Sequence, residues 1–194
     1  QLAEVPTLLK LDRADRSDFL RYFYRRYEDA PAAVLAKDAE ELLSKLILTK
    51  SFPAGIRRVR EHRAAGHKTI LITGALSFVV EPLRPLFDEI VASDMTVRPD
   101  GTLSGELRSV PPTGETRAQV LSDYCAANGF SMEEAVAYAD STSDLPLLEA
   151  VGFPVAVNPE TRLAAIARKR GWLVEDWKKA SGAPKPLLPL APLM

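Results

Sequence analysis

Hydrophobic positions along the chain follow two rhythms, which change over near Phe52. Before that point Leu8, Leu9 and Leu11, then Phe19, Leu20, Phe23, Tyr24 and Tyr27, recur at three- and four-residue steps among Arg and Asp. That spacing gathers apolar side chains on one face of a helix. Residues 41–48 continue the stripe, so residues 1–52 are expected to form a small all-helical unit of three or four helices. From Pro53 onward, helical stripes alternate with short apolar runs. Residues 54–65 read as an Arg-rich helix that stops at Gly66, a usual helix end. Residues 68–73, Lys-Thr-Ile-Leu-Ile-Thr, are rich in β-branched side chains and are expected to form a buried parallel strand ending at Gly74. A helix over about 77–86 and a strand over 89–93 follow.

The turn signal Pro99-Asp100-Gly101 between two short alternating stretches predicts a hairpin. Residues 115–127 predict a helix ending at Asn128-Gly129. Strands are expected at 136–139, 155–157 and 172–174, with helices 146–150 and 160–170 between them. Strand, helix and strand in this alternation imply an α/β fold with a mostly parallel sheet, with the helical unit before it. The chain therefore divides into a helical segment (1–52), an α/β core (53–180) and a proline-rich tail or linker (181–194). The prolines of the tail deny it a helix.

Composition narrows the function more than the fold. With 25 Lys and Arg against 26 Asp and Glu, the chain offers no electrostatic reason to bind nucleic acid or an anionic membrane. No apolar run approaches the roughly 18 residues of a membrane span. A single cysteine, Cys125, excludes an intramolecular disulfide and fits a reducing compartment, the cytoplasm. The sequence opens on Gln1 in place of Met, which we read as processing or as excision from something longer.

In open parallel sheets, ligands collect at the carboxyl ends of strands. At one such end, Thr73-Gly74 offers a hydroxyl and a backbone N–H to a phosphate or carboxylate oxygen, although Thr-Gly also serves simply to turn the chain. At another, Ala139 leads into Asp140-Ser141-Thr142-Ser143-Asp144. Two carboxylates astride a strand-to-helix turn suit Mg²⁺, which is held by one or two carboxylates together with water and phosphate oxygens. Ser141-x-x-Asp144 also reads as a helix-capping box with Pro146 in the first turn, a reading that accounts for Asp144 better than for Asp140. Between these ends, Thr113-Gly114-Glu115-Thr116-Arg117 opens a helix, and Arg117 is placed to face an anion there. His62 and His67 are spaced by five residues, which does not set them on one helix face as paired metal ligands. Cys125 reads as a small buried thiol. Arg25-Arg26 and Arg57-Arg58 read as solvated faces offset by neighbouring acids. The absence of Gly-x-Gly removes any dinucleotide fingerprint.

The order hydroxyl, cation, paired aspartates resembles the haloacid dehalogenase-like hydrolases, and within them the phosphoserine phosphatase-like branch, subfamily IB. Thr73 matches that family's second motif, Arg117 stands where its third motif has Lys, and Asp140-x-x-x-Asp144 matches the fourth. Residues 138–152, Asn158-Pro159 and Arg170-Gly171-Trp172 extend the likeness, which covers about 53–177. The resemblance implies a Rossmannoid three-layer core with a helical cap, and Mg²⁺-dependent hydrolysis of a small phosphorylated metabolite through an aspartyl phosphate. It implies phosphate binding by Thr73, Gly74 and Arg117, and metal binding by Asp140 supported by Asp144. The family's nucleophile and its acid–base partner lie in an Asp-x-Asp motif at the end of a central strand, and this chain contains no Asp-x-Asp. The nearest imitation, Leu8 to Ala14 with Asp12, has Ala14 in the second carboxylate's place. By the resemblance, the nucleophile strand lies upstream and the chain alone is inactive. The alternative is a non-catalytic or regulatory domain of a larger fused protein; a phosphotransferase would use the same residues. Arg21, Tyr24 and Arg25 are the cap residues from which substrate choice is expected.

Overall fold

The computed structural model describes residues 16–180. The Leu8, Leu9 and Leu11 stripe, Asp12 and the 181–194 tail lie outside them. The helical segment comprises α1 (Arg16–Tyr24), a 3-10 turn (Arg25–Tyr27) and α2 (Ala32–Lys50). Then α3 (Pro53–Ala64), with Pro53 in its first turn, leads into β1 (Ile70–Leu76). After β1 come α4 (Ser77–Val80), a 3-10 turn (Glu81–Leu86), β2 (Glu89–Ser93), and the hairpin of β3 (Met95–Val97) and β4 (Leu103–Leu107). The chain continues through α5 (Glu115–Asn128), β5 (Val136–Ala139), α6 (Leu145–Ala150), β6 (Phe153–Val157), α7 (Thr161–Arg170) and β7 (Leu173–Glu175).

The parallel strands pair as β1–β2 and as β5–β6–β7, whereas β3–β4 is antiparallel. The pleat explains the layering. Ala137 and Ala156 point toward one face, where Leu121 and Cys125 of α5, Leu147 and Leu148 of α6, and Leu163 and Ala167 of α7 close over them. Leu148 and Leu163 are fully buried, each contributing about 1.5–3 kcal/mol. Tyr138, one residue out of phase with Ala137, faces the opposite layer, where its hydroxyl meets His62 of α3 at 2.7 Å. The result is a mixed α/β sandwich with helices on both faces of mostly parallel strands.

Among the described residues no ladder joins β1 to β5. Nevertheless Ile70 and Ile72 of β1 pack against the same apolar cluster as Ala137 of β5. Two parallel half-sheets therefore share one core, each with an edge unpaired by the other.

The helical segment is docked on the hairpin. Leu20 and Tyr24 of α1 bury against Leu76, Met95 and Leu103, with Phe19, Phe23 and Tyr27 at the margin. The link to α2 runs along β4 through Asp29 N–H to Leu103 O, Leu103 N–H to Ala30 O and Ala32 N–H to Gly101 O.

Candidate functional site

The strand expected to stop at Thr73 continues to Leu76. Its register with β2 slips between Ile72 and Leu76, so Thr73 and Gly74 sit in a bulge within the strand and not in a turn after it. The Thr73 hydroxyl accepts from Ala75 N–H at 3.1 Å, which locks the bulge. The Gly74 carbonyl is turned inward and accepts from Tyr24 Oη at 2.9 Å and Ser93 Oγ at 3.0 Å. Burial, with Tyr27 beside it, pushes the Tyr24 phenol up to about 12, so it remains a donor at any ordinary pH. Tyr24 thus holds the core, whereas Arg21 and Arg25 are exposed.

Thr113 and Pro112 lie directly against Gly74. A side-chain carbon placed on Gly74 would come within 3.2 Å of Thr113 Cγ2 and 3.8 Å of the Pro112 oxygen. Arg117, in the first turn of α5, donates from Nε to that same Pro112 oxygen at 3.0 Å, and its other arm forms an ion pair with Asp144. Asp144 is buried, and among the described residues no other donor satisfies its paired oxygen. Among the described residues, the Arg117 guanidinium is therefore what offsets that buried charge. Burial holds Arg117 below its ordinary value; the charge of Arg16 adds to that shift and Asp140 opposes it.

This pair displaces the capping-box reading. Ser141 Oγ does cap the 3-10 turn Thr142–Asp144, accepting from Ser143 N–H at 3.1 Å. Asp144, at the head of α6, makes no capping hydrogen bond, because its carboxylate is committed to Arg117. The turn is also held by Glu160, whose Oε1 accepts from Thr142 N–H at 2.7 Å.

Asp140, the residue after β5, is exposed to solvent, and its charge is felt by Arg117. The bulge at Thr73, the 112–114 loop, Arg117 and Asp144 thus form a continuous arc, and Asp140 stands at the carboxyl end of its strand. Among the described residues no three His, Cys, Asp or Glu side chains converge as a cation cage. The exposed Asp140 carboxylate suits a hard cation that takes its remaining ligands from water and phosphate oxygens.

Comparison with known proteins decides the family: residues 2–149 match the model for the haloacid dehalogenase-like hydrolases. The chain belongs to this family. It is 32% identical over 148 residues to an inhibition of morphological differentiation protein of Streptomyces azureus, covering 75% of this chain and 52% of that protein. It is 28% identical to a histidinol-phosphatase of Neisseria meningitidis over 87% of this chain and 86% of that enzyme. A solved structure from Bordetella pertussis Tohama I, of unknown function, superposes with a TM-score of 0.77 at 28% identity, covering 88% of this chain and 80% of that one. The chain spans about half the length of several curated relatives it matches, a phosphoserine phosphatase of Mycobacterium tuberculosis among them.

Sequence reasoning missed Ser93 as a contributor to this haloacid dehalogenase-like site and gave Tyr24 a different part, in substrate choice. Tyr24 and Ser93 fasten the Gly74 carbonyl from 50 and 19 residues away, and no local pattern announces a contact of that range. The role of the Pro112 carbonyl as the acceptor for Arg117 was likewise not legible. The histidines also differ from expectation: the chain turns at Gly66, and His62 Nδ1 lies 2.9 Å from His67 Nδ1.

Proposed function

We propose that this chain is the cap and most of the core of a phosphatase that hydrolyses a small phosphate monoester. Thr73, the Gly74 N–H and Arg117 receive the phosphate, Asp140 holds Mg²⁺, and Asp144 supports that site by fixing Arg117 beside it. The observation that carries the reading is the Arg117–Asp144 pair beside the Thr73 bulge, a fixed cation next to the hydroxyl and amide groups of the bulge. Arg117 is anchored at both ends of its guanidinium, so it presents charge without first having to be ordered. Mg²⁺ would supply charge neutralisation at the phosphate oxygens. The histidinol-phosphatase and phosphoserine phosphatase relatives support the same substrate class.

The nucleophile in this reading is an aspartate outside the 194 residues, since no Asp-x-Asp stands within them. That carboxylate attacks phosphorus and the alcohol leaves with a proton from the acid; water then cleaves the acyl phosphate, releasing inorganic phosphate. The unjoined edges of β1 and β5 over one core support a place for the strand that carries it. The segments 1–52, 53–180 and 181–194 act as cap, core and tail or linker, and the tail suits fusion to a further domain. The single buried thiol fits the cytoplasm, and among the described residues no helix is long and apolar enough to cross a membrane.

The test is hydrolysis of p-nitrophenyl phosphate by the full-length protein, with and without Mg²⁺, beside Asp140→Asn. Metal-dependent turnover that falls by about 100-fold or more in the variant is expected, in line with loss of a metal-site group. Undiminished activity in Asp140→Asn would overturn the assignment. The alternative, a non-catalytic domain of a larger fused protein, predicts no turnover from the full-length protein at all.

A further inference from the structure

The end of α3 brings two imidazoles together that their spacing along a helix would keep apart. His62 is the third residue from the end of α3, Gly66 takes the left-handed conformation at φ +82, and His67 follows. Gly66 N–H donates to Arg63 O at 3.0 Å, and His67 N–H donates to His62 O at 3.0 Å. This is the Schellman closure of a helix, in which the side chains at the two positions occupied here by His62 and His67 meet across the turn. The contact is commonly apolar. In this chain it is formed by two metal-ligating side chains instead.

His62 Nδ1 lies 2.9 Å from His67 Nδ1, with the ring centroids 5.2 Å apart. On its other side, His62 Nε2 lies 2.7 Å from Tyr138 Oη of β5. Burial, then His67 and Arg58, lower the affinity of His62 for a proton, with Glu61 opposing. That favours the neutral imidazole, the form that ligates metals. His67 is exposed, so its ring can swing to admit an ion between the two nitrogens. Imidazole nitrogens bind zinc at about 2.0–2.1 Å. Two bonds of that length at a right angle set their nitrogens about 2.8–3.0 Å apart, whereas a tetrahedral angle sets them about 3.3–3.4 Å apart. The observed separation matches the tetragonal geometry of Ni²⁺ and Cu²⁺ better than the zinc tetrahedron.

We propose that His62 and His67 form a binding site for a tetragonal first-row cation of the Ni²⁺ and Cu²⁺ class, held through both Nδ1 atoms. Among the described residues no third His, Cys, Asp or Glu joins them, so water takes the remaining positions. With the cation in place, the ring proton of His62 resides on Nε2 and is donated to Tyr138 Oη. Each imidazole keeps one proton, and none is released. Tyr138 is thus a positioning residue, supplying the outer hydrogen bond that fixes the tautomer and orientation of a metal-bound imidazole. The ion links the end of α3 and the lead into β1 to β5, and so joins elements of the two half-sheets. This site stands apart from the phosphatase reading, since none of its groups belongs to the arc around Arg117.

Titration calorimetry of the 194-residue chain with Ni²⁺ tests this. One ion per chain is expected, with affinity at least tenfold lower in His67→Gln and in His62→Gln, about tenfold lower in Tyr138→Phe, and unchanged in Asp140→Asn. Mg²⁺, which takes oxygen ligands, should give a titration that His67→Gln leaves unaltered. At free Ni²⁺ a hundredfold above Kd, the thermal midpoint should rise by about 5 °C, and no rise is expected in His67→Gln. His67 is exposed, so His67→Gln should keep the metal-free midpoint, which separates loss of the site from loss of the fold. No saturable Ni²⁺ binding, affinity retained in His67→Gln, or affinity lost in Asp140→Asn would overturn the site. Unchanged affinity in Tyr138→Phe would overturn the part given to Tyr138.

Discussion

Arg117 and Asp144 show how two ordinary residues become a unit. Each is unremarkable in sequence, one in the first turn of a helix and the other in a Ser/Thr-rich turn. Together they bury a charge pair whose value lies in not being broken. Arg117→Leu would leave the Asp144 carboxylate buried and unpaired, at a cost of about 3 kcal/mol. Arg117→Lys keeps a charge but loses the Nε donation to Pro112, at about 1 kcal/mol. Urea unfolding of the two variants should rank them in that order. His62 supplies a second prediction. Burial, then the neighbouring His67 and Arg58, lower its affinity for a proton, with Glu61 opposing, while its Nε2 meets Tyr138. The unfolded chain therefore takes up that proton first as pH falls, so the stability tied to neutral His62 is present above about pH 6.5 and is lost as pH drops through its lower folded value. The thermal midpoint should fall between about pH 7 and about pH 5.5, and His62→Gln should flatten that slope.

At the level of elements, most boundaries followed from periodicity, and the departures have local causes. The hairpin, β2 and β5 appear where alternation and turn chemistry put them, because their signals lie within a few residues. β1 runs past its expected end because the bulge at Thr73–Ala75 absorbs a register slip that a Thr-Gly pair cannot distinguish from a turn. Between α6 and β6 the chain passes Gly152, where any side-chain carbon would lie 1.8 Å from the Glu133 carbonyl oxygen. Gly152 N–H also donates to Met132 O at 3.0 Å, so this approach pins the start of β6 beside the lead into β5. Gly152→Ala is expected to cost about 3 kcal/mol, the upper range of overpacking, seen as a lowered urea midpoint with the m-value unchanged. By contrast Gly129→Ala, where nothing stands within 4 Å of the added carbon, costs only the strain of the left-handed conformation, about 1 kcal/mol.

For the molecule as a whole, the two half-sheets over a shared core are the governing feature. Amide hydrogen exchange should separate them: N–H groups paired between β1 and β2 or between β5 and β6 exchange slowly, and those on the opposite edges of β1 and β5 exchange faster in the 194-residue chain. Slow exchange on both opposite edges would show them paired and remove the argument for an inserted strand. The sequence alone determined the α/β alternation, the family resemblance read from Thr73, Arg117, Asp140 and Asp144, and the lack of an Asp-x-Asp pair. Those depend on residue identity and on spacing within one element. Tertiary structure alone decided that Asp144 pairs with Arg117 while Asp140 stays in solvent, and that Tyr24 faces the core while Arg21 and Arg25 stay exposed. The partners in each case lie on different elements, and which of them meet depends on how strands and helices pack, a choice that a pattern read along one segment does not contain.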